Sequence, residues 1–332
     1  MAKKKLLAIR FSALGDVTMI APVLEEFIAQ NPDVEVYFAS RPFMATIFKS
    51  NPNIKFIPID LTNDYKGILG LLKLYNKLKS YNFDYIADLH NVIRTRGITT
   101  LFKLNGIKTA TLDKGRSEKK ALVSQKNKVL KQLKLTTERY ADVLRSFGFK
   151  LKLSHQLNST VEKEEKTIGI APFAAFKSKM YPLNKMKYVA QKLAEDGYKI
   201  YLFGGGISEV EELKKWESFH SNIKSLAGNL SLNEELNTIA KLQAMIAMDS
   251  ANMHLASLMG TRTISIWGGT HPYAGFLGYG QSYNDVIQDE TLACRPTSVF
   301  GKDPKEFEDF DYFQNLDANT VYQQIKSKLN NN

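Results

Sequence analysis

With 332 residues, 44% of them apolar, the chain can bury the cores of two ordinary domains, and its single cysteine, Cys294, excludes an internal disulfide framework and a cysteine-built zinc site. The net charge of +11 is uneven: residues 1–160 carry 27 Lys and Arg against 13 Asp and Glu, and the remainder 18 against 21. A front half at +14 beside a back half at −3 points the front half at an anionic partner.

The excess peaks between Lys114 and Lys134, where eight basic residues accompany one acid. A solvated, lysine-rich helix is the ordinary reading of such a stretch. Otherwise it faces an anionic lipid surface, a phosphorylated glycan or nucleic acid. No aromatic residue interleaves with these lysines, which argues against a stacking surface for single-stranded nucleic acid. The N-terminal MAKKKLLAIRFSALGDV has the basic and apolar halves of a secretory signal. Arg10 and Asp16 interrupt it and no small-residue cleavage site follows, so it reads as a buried strand. No run of about 18 uncharged apolar residues spans a bilayer.

Strand and helix periods alternate along the chain. Strands are expected at 5–11, 35–39, 55–59 and 85–89, with helices at 16–30, 43–49, 68–80 and 137–147. The polar stretch SHQLNSTVEKEEK (154–166) has no core pattern and reads as a linker. The alternation then restarts, with strands at 167–171, 199–203, 245–248 and 263–267. Helices are expected at 185–196, 208–218, 233–241, 251–259 and 319–329, before a frayed Asn tail. No tandem repeat is present. Two Rossmann-like α/β domains facing each other across a cleft follow, at 1–155 and 167–332, with 156–166 between them and the last helix free to pack back on the first domain.

Polar groups gather where these strands end. In open α/β sheets that edge holds ligands. After the first strand, Arg10-Phe11-Ser12-Ala13-Leu14-Gly15-Asp16 sets an acid at a helix start, as a capping residue or as a chemical group; GxGxxG is absent. After the strand at 167–171 come Lys177, Lys179, Tyr181 and Pro182, and a lysine there can neutralise a phosphate. Gly204-Gly205-Gly206 lets a ligand approach the backbone, and Glu209 three residues on suits ribose hydroxyls or the helix dipole. Asp249 and Ser250 end the strand at 245–248 and open a helix carrying His254, whose free N–H groups suit a diphosphate. Gly268-Gly269-Thr270 closes the next strand. Asp309-Phe310-Asp311 has the letters of a DxD metal site but no strand pattern before it, and reads as a loop.

Taken in order, these segments resemble glycosyltransferase family 9, the ADP-heptose:lipopolysaccharide heptosyltransferases. FSALGD is similar to the family's S-x-[LM]-G-D, and Lys179-Met180-Tyr181-Pro182 to its K-x-W-P. GGGISE is similar to its glycine turn with a following Glu, and residues 225–272 resemble its leucine-rich helix, D-[ST]-G-x-x-H-x-A and G-x-T-x-P. The resemblance implies a GT-B fold and an inverting, metal-independent glycosyltransferase with no cofactor beyond its nucleotide-sugar co-substrate, ADP-linked by analogy. It implies Asp16 as general base, with Lys179, Gly205, Glu209, Asp249, Ser250, Ala251 and His254 around the donor. The acceptor would be an anionic, lipid-linked inner-core glycan, met from the cytoplasmic side by peripheral contact with the inner membrane. Arg94 and Arg96, beyond the strand at 85–89, are the acceptor-side candidates, with His90 nearby. The chain departs from the pattern at Ala251, where the family has glycine, at Tyr181 for tryptophan, and in the loop 172–176, which lacks small hydroxyl residues. Two other readings share the architecture: a GT-B sugar-nucleotide epimerase, and a non-catalytic protein that binds a nucleotide sugar or glycolipid.

Overall fold

The computed structural model describes residues 3–49 and 51–330; the final two asparagines of the expected frayed tail lie outside them. The chain forms two compact units. The first contains β1 (Lys4–Ile9), α1 (Leu14–Gln30), β2 (Val34–Ser40), β3 (Ile54–Pro58), α2 (Gly67–Lys79), β4 (Tyr85–Asp88), α3 (Ile93–Leu104) and β5 (Lys108–Thr111). Along the chain then come α4 (Arg116–Val123), all but its first residue in the second unit, and α5 (Thr136–Arg145), back in the first. The sheet is parallel with order β3-β2-β1-β4-β5. β1 is central and covered on both faces, so Leu6, Leu7, Ala8 and Ile9 are fully buried and the strand is a continuous apolar run.

The second unit contains β6 (Glu164–Ala171), α6 (Leu183–Glu195), β7 (Lys199–Leu202), α7 (Ile207–Trp216), β8 (Ile223–Ser225), α8 (Leu232–Lys241) and β9 (Leu242–Met248). It continues through α9 (Ala251–Leu258), β10 (Thr263–Trp267), β11 (Val286–Gln288) and α10 (Ala318–Asn330). Its parallel sheet runs β11-β10-β9-β6-β7-β8. In both sheets the strand order reverses beside the first strand of the unit, between β1 and β4 and between β6 and β9, the doubly wound arrangement.

The expected elements are present with shifted ends. The segment 43–49 is a 3₁₀ helix, Pro42–Phe48, rather than an α-helix. The strand expected from 167 starts at Glu164, inside the expected linker, with a register irregularity before Ile168. α3, β5, α4, β8 and β11 are additional. The edge strands among them are three or four residues long, too short for a period to register.

The division of the chain is not a single cut. Residues 117–133 belong to the second unit, although 134–154 return to the first. This strap is pinned by Leu133 N–H to the Tyr273 carbonyl at 2.9 Å and by Lys128 Nζ to the carbonyls of Cys294 and Pro296 at 2.5 and 2.9 Å. Leu122 and Leu133 close a small apolar cluster with Ala274. Lys119, expected on a solvated helix, is buried with its ammonium 4.2 Å from the Phe276 ring centroid. The last helix, α10, packs on α6, where the Tyr322 hydroxyl donates to Asp196 at 2.6 Å.

The turn between α9 and β10 is a Schellman motif: Gly260 N–H reaches the Ser257 carbonyl at 3.1 Å and Thr261 N–H the Ala256 carbonyl at 2.8 Å. Gly260 has φ +63°, and a Cβ there would run into the backbone carbonyl of Asn158. Gly260→Ala should therefore destabilise the second unit by ~2–3 kcal/mol, read as a lower urea midpoint with an unchanged m-value.

Candidate functional site

In the first unit the loops after β1, β4 and β5 share one sheet edge. Asp16 is the third residue of α1, not its cap, and its carboxylate turns back to accept from Ala13 N–H at 3.3 Å. The same carboxylate pairs with Arg10 Nη2 at 2.6 Å, and the Tyr140 hydroxyl donates to it at 3.4 Å. Arg10 is buried, donates from Nη1 to the Leu89 carbonyl at 2.6 Å and lies 5.7 Å from the Tyr140 ring centroid. The acid is thus held by one buried guanidinium at the exit of the central strand, and remains partly open to solvent.

β4 ends in a tight turn: buried Asp88 accepts from the N–H groups of His90 and Asn91 at 3.0 and 2.8 Å. His90 sits with Nε2 3.3 Å from Ser12 Oγ, and burial, then Arg10 and Lys114, push its pKa down to about 4. Lys114, after β5, is also lowered, by partial burial and by Arg10 and Arg116. These interactions place Arg10, His90 and Lys114 around Asp16, with buried Asp88 also acting on Arg10 and Lys114. Arg96 is exposed and donates from Nε to Asn91 Oδ1 at 2.6 Å, so it braces the β4 turn; Arg94 is half-buried in the first turn of α3.

In the second unit the four motifs fall at the ends of adjacent strands, in the order β10, β9, β6, β7. Lys179 and Asp249 pair at 2.9 Å, with both side chains largely buried, and the Thr270 hydroxyl donates to the same Asp249 oxygen at 2.9 Å. Three loops therefore converge on one carboxylate. Ser250 caps α9 with an extended backbone. Its Oγ is buried and makes no hydrogen bond among the described residues. Ala251 opens α9 in helical conformation and is not among the described residues with positive φ, so the Cβ that replaces the family glycine costs no backbone strain. His254 is buried on α9. After β7, Glu209 accepts from Gly205 N–H at 2.8 Å, which closes the glycine turn at the start of α7.

Several residues that frame this edge were not singled out from sequence. Gly301 has φ +96°, and the aliphatic stem of Lys179 lies where its Cβ would be. Ser178 Oγ donates to the Gly301 carbonyl at 2.5 Å, and the Ser178 carbonyl accepts from Gly269 N–H at 2.8 Å. Arg295 is buried and donates to the carbonyls of Gly268, Asp289, Trp267 and Thr270 at 2.5–3.2 Å, and burial pulls its pKa down to about 10. No local pattern marks these residues. Arg10 was visible as a charge interrupting an apolar run. In the 309–311 segment, Asp311 accepts from Phe313 N–H at 2.8 Å and exposed Asp309 lies 3.7 Å from Lys177.

What this edge can do is bind and polarise an anion. Lys179 has three N–H donors and spends one on Asp249, which fixes its direction. The unpaired N–H groups of α9 and the Ser250 hydroxyl face the same strand end.

His271, beside this edge, accepts from Tyr273 N–H on Nδ1 at 3.1 Å, and burial, then Arg295 and Lys128, lower its pKa from 6.5 to about 4. The folded state thus binds fewer protons than the unfolded one between those values, and stability rises with pH across that window. The unfolding midpoint of the second unit should fall as pH drops from about 6.5 towards 4, and His271→Asn should flatten that slope.

The profile of glycosyltransferase family 9 (heptosyltransferase) matches residues 71–301. A lipopolysaccharide heptosyltransferase 1 of Campylobacter coli is 24% identical over 294 residues, covering 81% of this chain and 85% of that protein. Among solved structures, a family 9 glycosyl transferase from Veillonella parvula DSM 2008 superposes with a TM-score of 0.75 at 17% identity, over 100% of this chain and 99% of that one. The E. coli heptosyltransferase WaaC with ADP-2-deoxy-2-fluoro heptose gives 0.70 at 16% identity, over 98% and 99%. The fold is GT-B, built of two Rossmann-like units. With its profile matched over 231 residues and its motifs at the expected strand ends, the chain belongs to glycosyltransferase family 9 and is a glycosyltransferase.

Proposed function

We propose that the chain transfers heptose from ADP-heptose, with inversion, to an inner-core lipopolysaccharide acceptor. The observation that carries this reading is the convergence of Lys179, Asp249, Thr270 and the Ser250-capped N-terminus of α9 at the switch point of the second sheet. That is an anion-binding edge, and the family's relatives named as lipopolysaccharide heptosyltransferases supply the chemistry it serves.

In this reading the acceptor hydroxyl oxygen attacks the anomeric carbon, its proton passes to Asp16, and the electron pair of the breaking carbon–oxygen bond leaves on the diphosphate. Arg10 and the Ala13 N–H orient the Asp16 carboxylate. Lys179, the Ser250 hydroxyl and the N–H groups of α9 stabilise charge on the leaving diphosphate, where it develops. Ala251 and His254 line the same pocket. Gly205 and Glu209 take the nucleotide ribose, with the Glu209 carboxylate already oriented by Gly205 N–H. Arg94 and Arg96, with Arg10 and Lys114 beside Asp16, receive the anionic acceptor, and His90, neutral at pH 7 with its pKa lowered to about 4, offers it a hydrogen bond. The enzyme works at the cytoplasmic face of the inner membrane by peripheral contact; among the described residues no helix is long and apolar enough to cross a bilayer.

ADP release from ADP-heptose by purified protein should depend on a deacylated inner-core acceptor. Asp16→Ala should lower kcat by about 100-fold or more with donor affinity retained, whereas Lys179→Ala should weaken donor binding, by calorimetry, and lower kcat as well. Acceptor-independent release, or an Asp16→Ala enzyme as fast as the parent, would remove the assignment.

A further inference from the structure

We infer that the outer face of α2, with the start of α3, is the surface by which this protein docks on an anionic lipid bilayer. The observation is a helix that is apolar on two sides. Gly70, Leu74, Tyr75 and Leu78 bury one side of α2 in the core of the first unit. At ~100° per residue, Leu69 and Leu72 fall away from that side, and Ile68 lies on the flank just beyond Tyr75. Ile68 is 80% exposed, Leu69 82% and Leu72 44%. The core accounts for the first side only; an amphipathic surface helix needs one apolar stripe.

α3 extends the patch. Leu71 lies 2.9 Å from where a Gly97 Cβ would be, and the rings of Tyr75 and Phe102 are 4.9 Å apart. Both pairs advance together along the chain, so α2 and α3 run side by side in the same direction. One turn back from Leu71 and Gly97, the first turn of α2 stands level with Ile93, which is 92% exposed. Both helices start where β3 and β4 end, so the apolar patch borders the strand-end edge that carries Asp16 and His90.

Charge selects the occupant. α2 and α3 contain no acidic residue in 25 positions and carry Lys73, Lys77, Lys79, Arg94, Arg96 and Lys103, with Lys66 just before α2. The nearest acids along the chain are exposed Asp64, Asp84, which accepts from Lys5 N–H, and Asp88, buried in the β4 turn; Asp60, a little further, is spent on Thr62 and Asn63. Apolar side chains at one end of a face and lysines along the rest match an interface of acyl chains and anionic headgroups, which rewards both together. A protein partner of ordinary composition would leave this unbroken positive set without counter-charges. The inference rests on the proposed function only for its purpose, since a lipid-linked acceptor lies in the same plane as the docked face.

The test is co-sedimentation of the full chain with phosphatidylglycerol/phosphatidylethanolamine vesicles and with phosphatidylcholine vesicles, over a salt series. The expected result is binding to the anionic vesicles only, weakened by salt. It should fall about 10-fold or more in Ile68→Ser/Leu69→Ser/Leu72→Ser, and lose its salt dependence in Lys73→Ser/Lys77→Ser/Lys79→Ser. Turnover of the deacylated, soluble acceptor should be unchanged in the apolar variant, which shows that it is folded. Anionic binding that the apolar variant leaves intact would overturn the inference, as would no binding by the parent. So would a concentration-dependent dimer that the same variant dissolves, since a second copy would then be the occupant. Vesicle binding without sugar transfer removes the proposed reaction and leaves the docking face. Transfer without vesicle binding does the reverse.

Discussion

Everything in this protein hangs on the pairing of parallel strands on both sides of the first strand of each unit. β1 is flanked by β2 and β4, and β6 by β7 and β9. Parallel pairing forces every strand to exit at the same edge, and reversed winding leaves a crevice there, because connections on the two sides lead away to opposite faces. Chemistry placed just after any of these strands is therefore gathered without further instruction. That is why four short segments spread from Lys177 to Thr270 occupy one edge, and why Arg10, His90 and Lys114 surround Asp16 at another.

The groups so gathered are charged, and each edge manages them by pairing. Asp16 is matched by buried Arg10, and buried Asp249 by the largely buried Lys179. Such pairs contribute little net stability, since desolvation offsets most of the attraction; what they give is direction. Arg295 does comparable work with no carboxylate in hydrogen-bonding contact, holding carbonyls at the ends of β10 and around β11. Its burial would be costly if those donors were unmet; here the carbonyl oxygens meet them and the turn 268–270 is fixed in the process.

The surplus of positive charge in the first 160 residues serves at least three ends. Some is consumed structurally, as with Lys119 against Phe276 and Lys128 on two carbonyls, both in the strap that belongs to the second unit. Some surrounds Asp16. Another share lies on α2 and α3, beside exposed apolar side chains that the core has no use for. A net charge taken over half a chain merges these three uses.

The sequence by itself determined the βα alternation, the two-unit plan and the positions of Asp16, Lys179, Glu209 and Asp249 at strand ends. These are local properties: a run of apolar residues, a turn signal and the period of the next helix all lie within a dozen residues. Its reach ended where a residue's role depends on something far along the chain. Nothing near Gly301 announces that the stem of Lys179 crosses it, nothing near Arg295 names the carbonyls it holds, and the lysines of 117–133 read as solvated because their partners lie about 150 residues away. Asp16 reads as a possible cap until the helix is seen to start at Leu14 and Arg10 to take its carboxylate. Only tertiary structure decided these points, because side-chain pairing and steric exclusion depend on which strands become neighbours, and strand neighbours are chosen by the packing of the whole sheet.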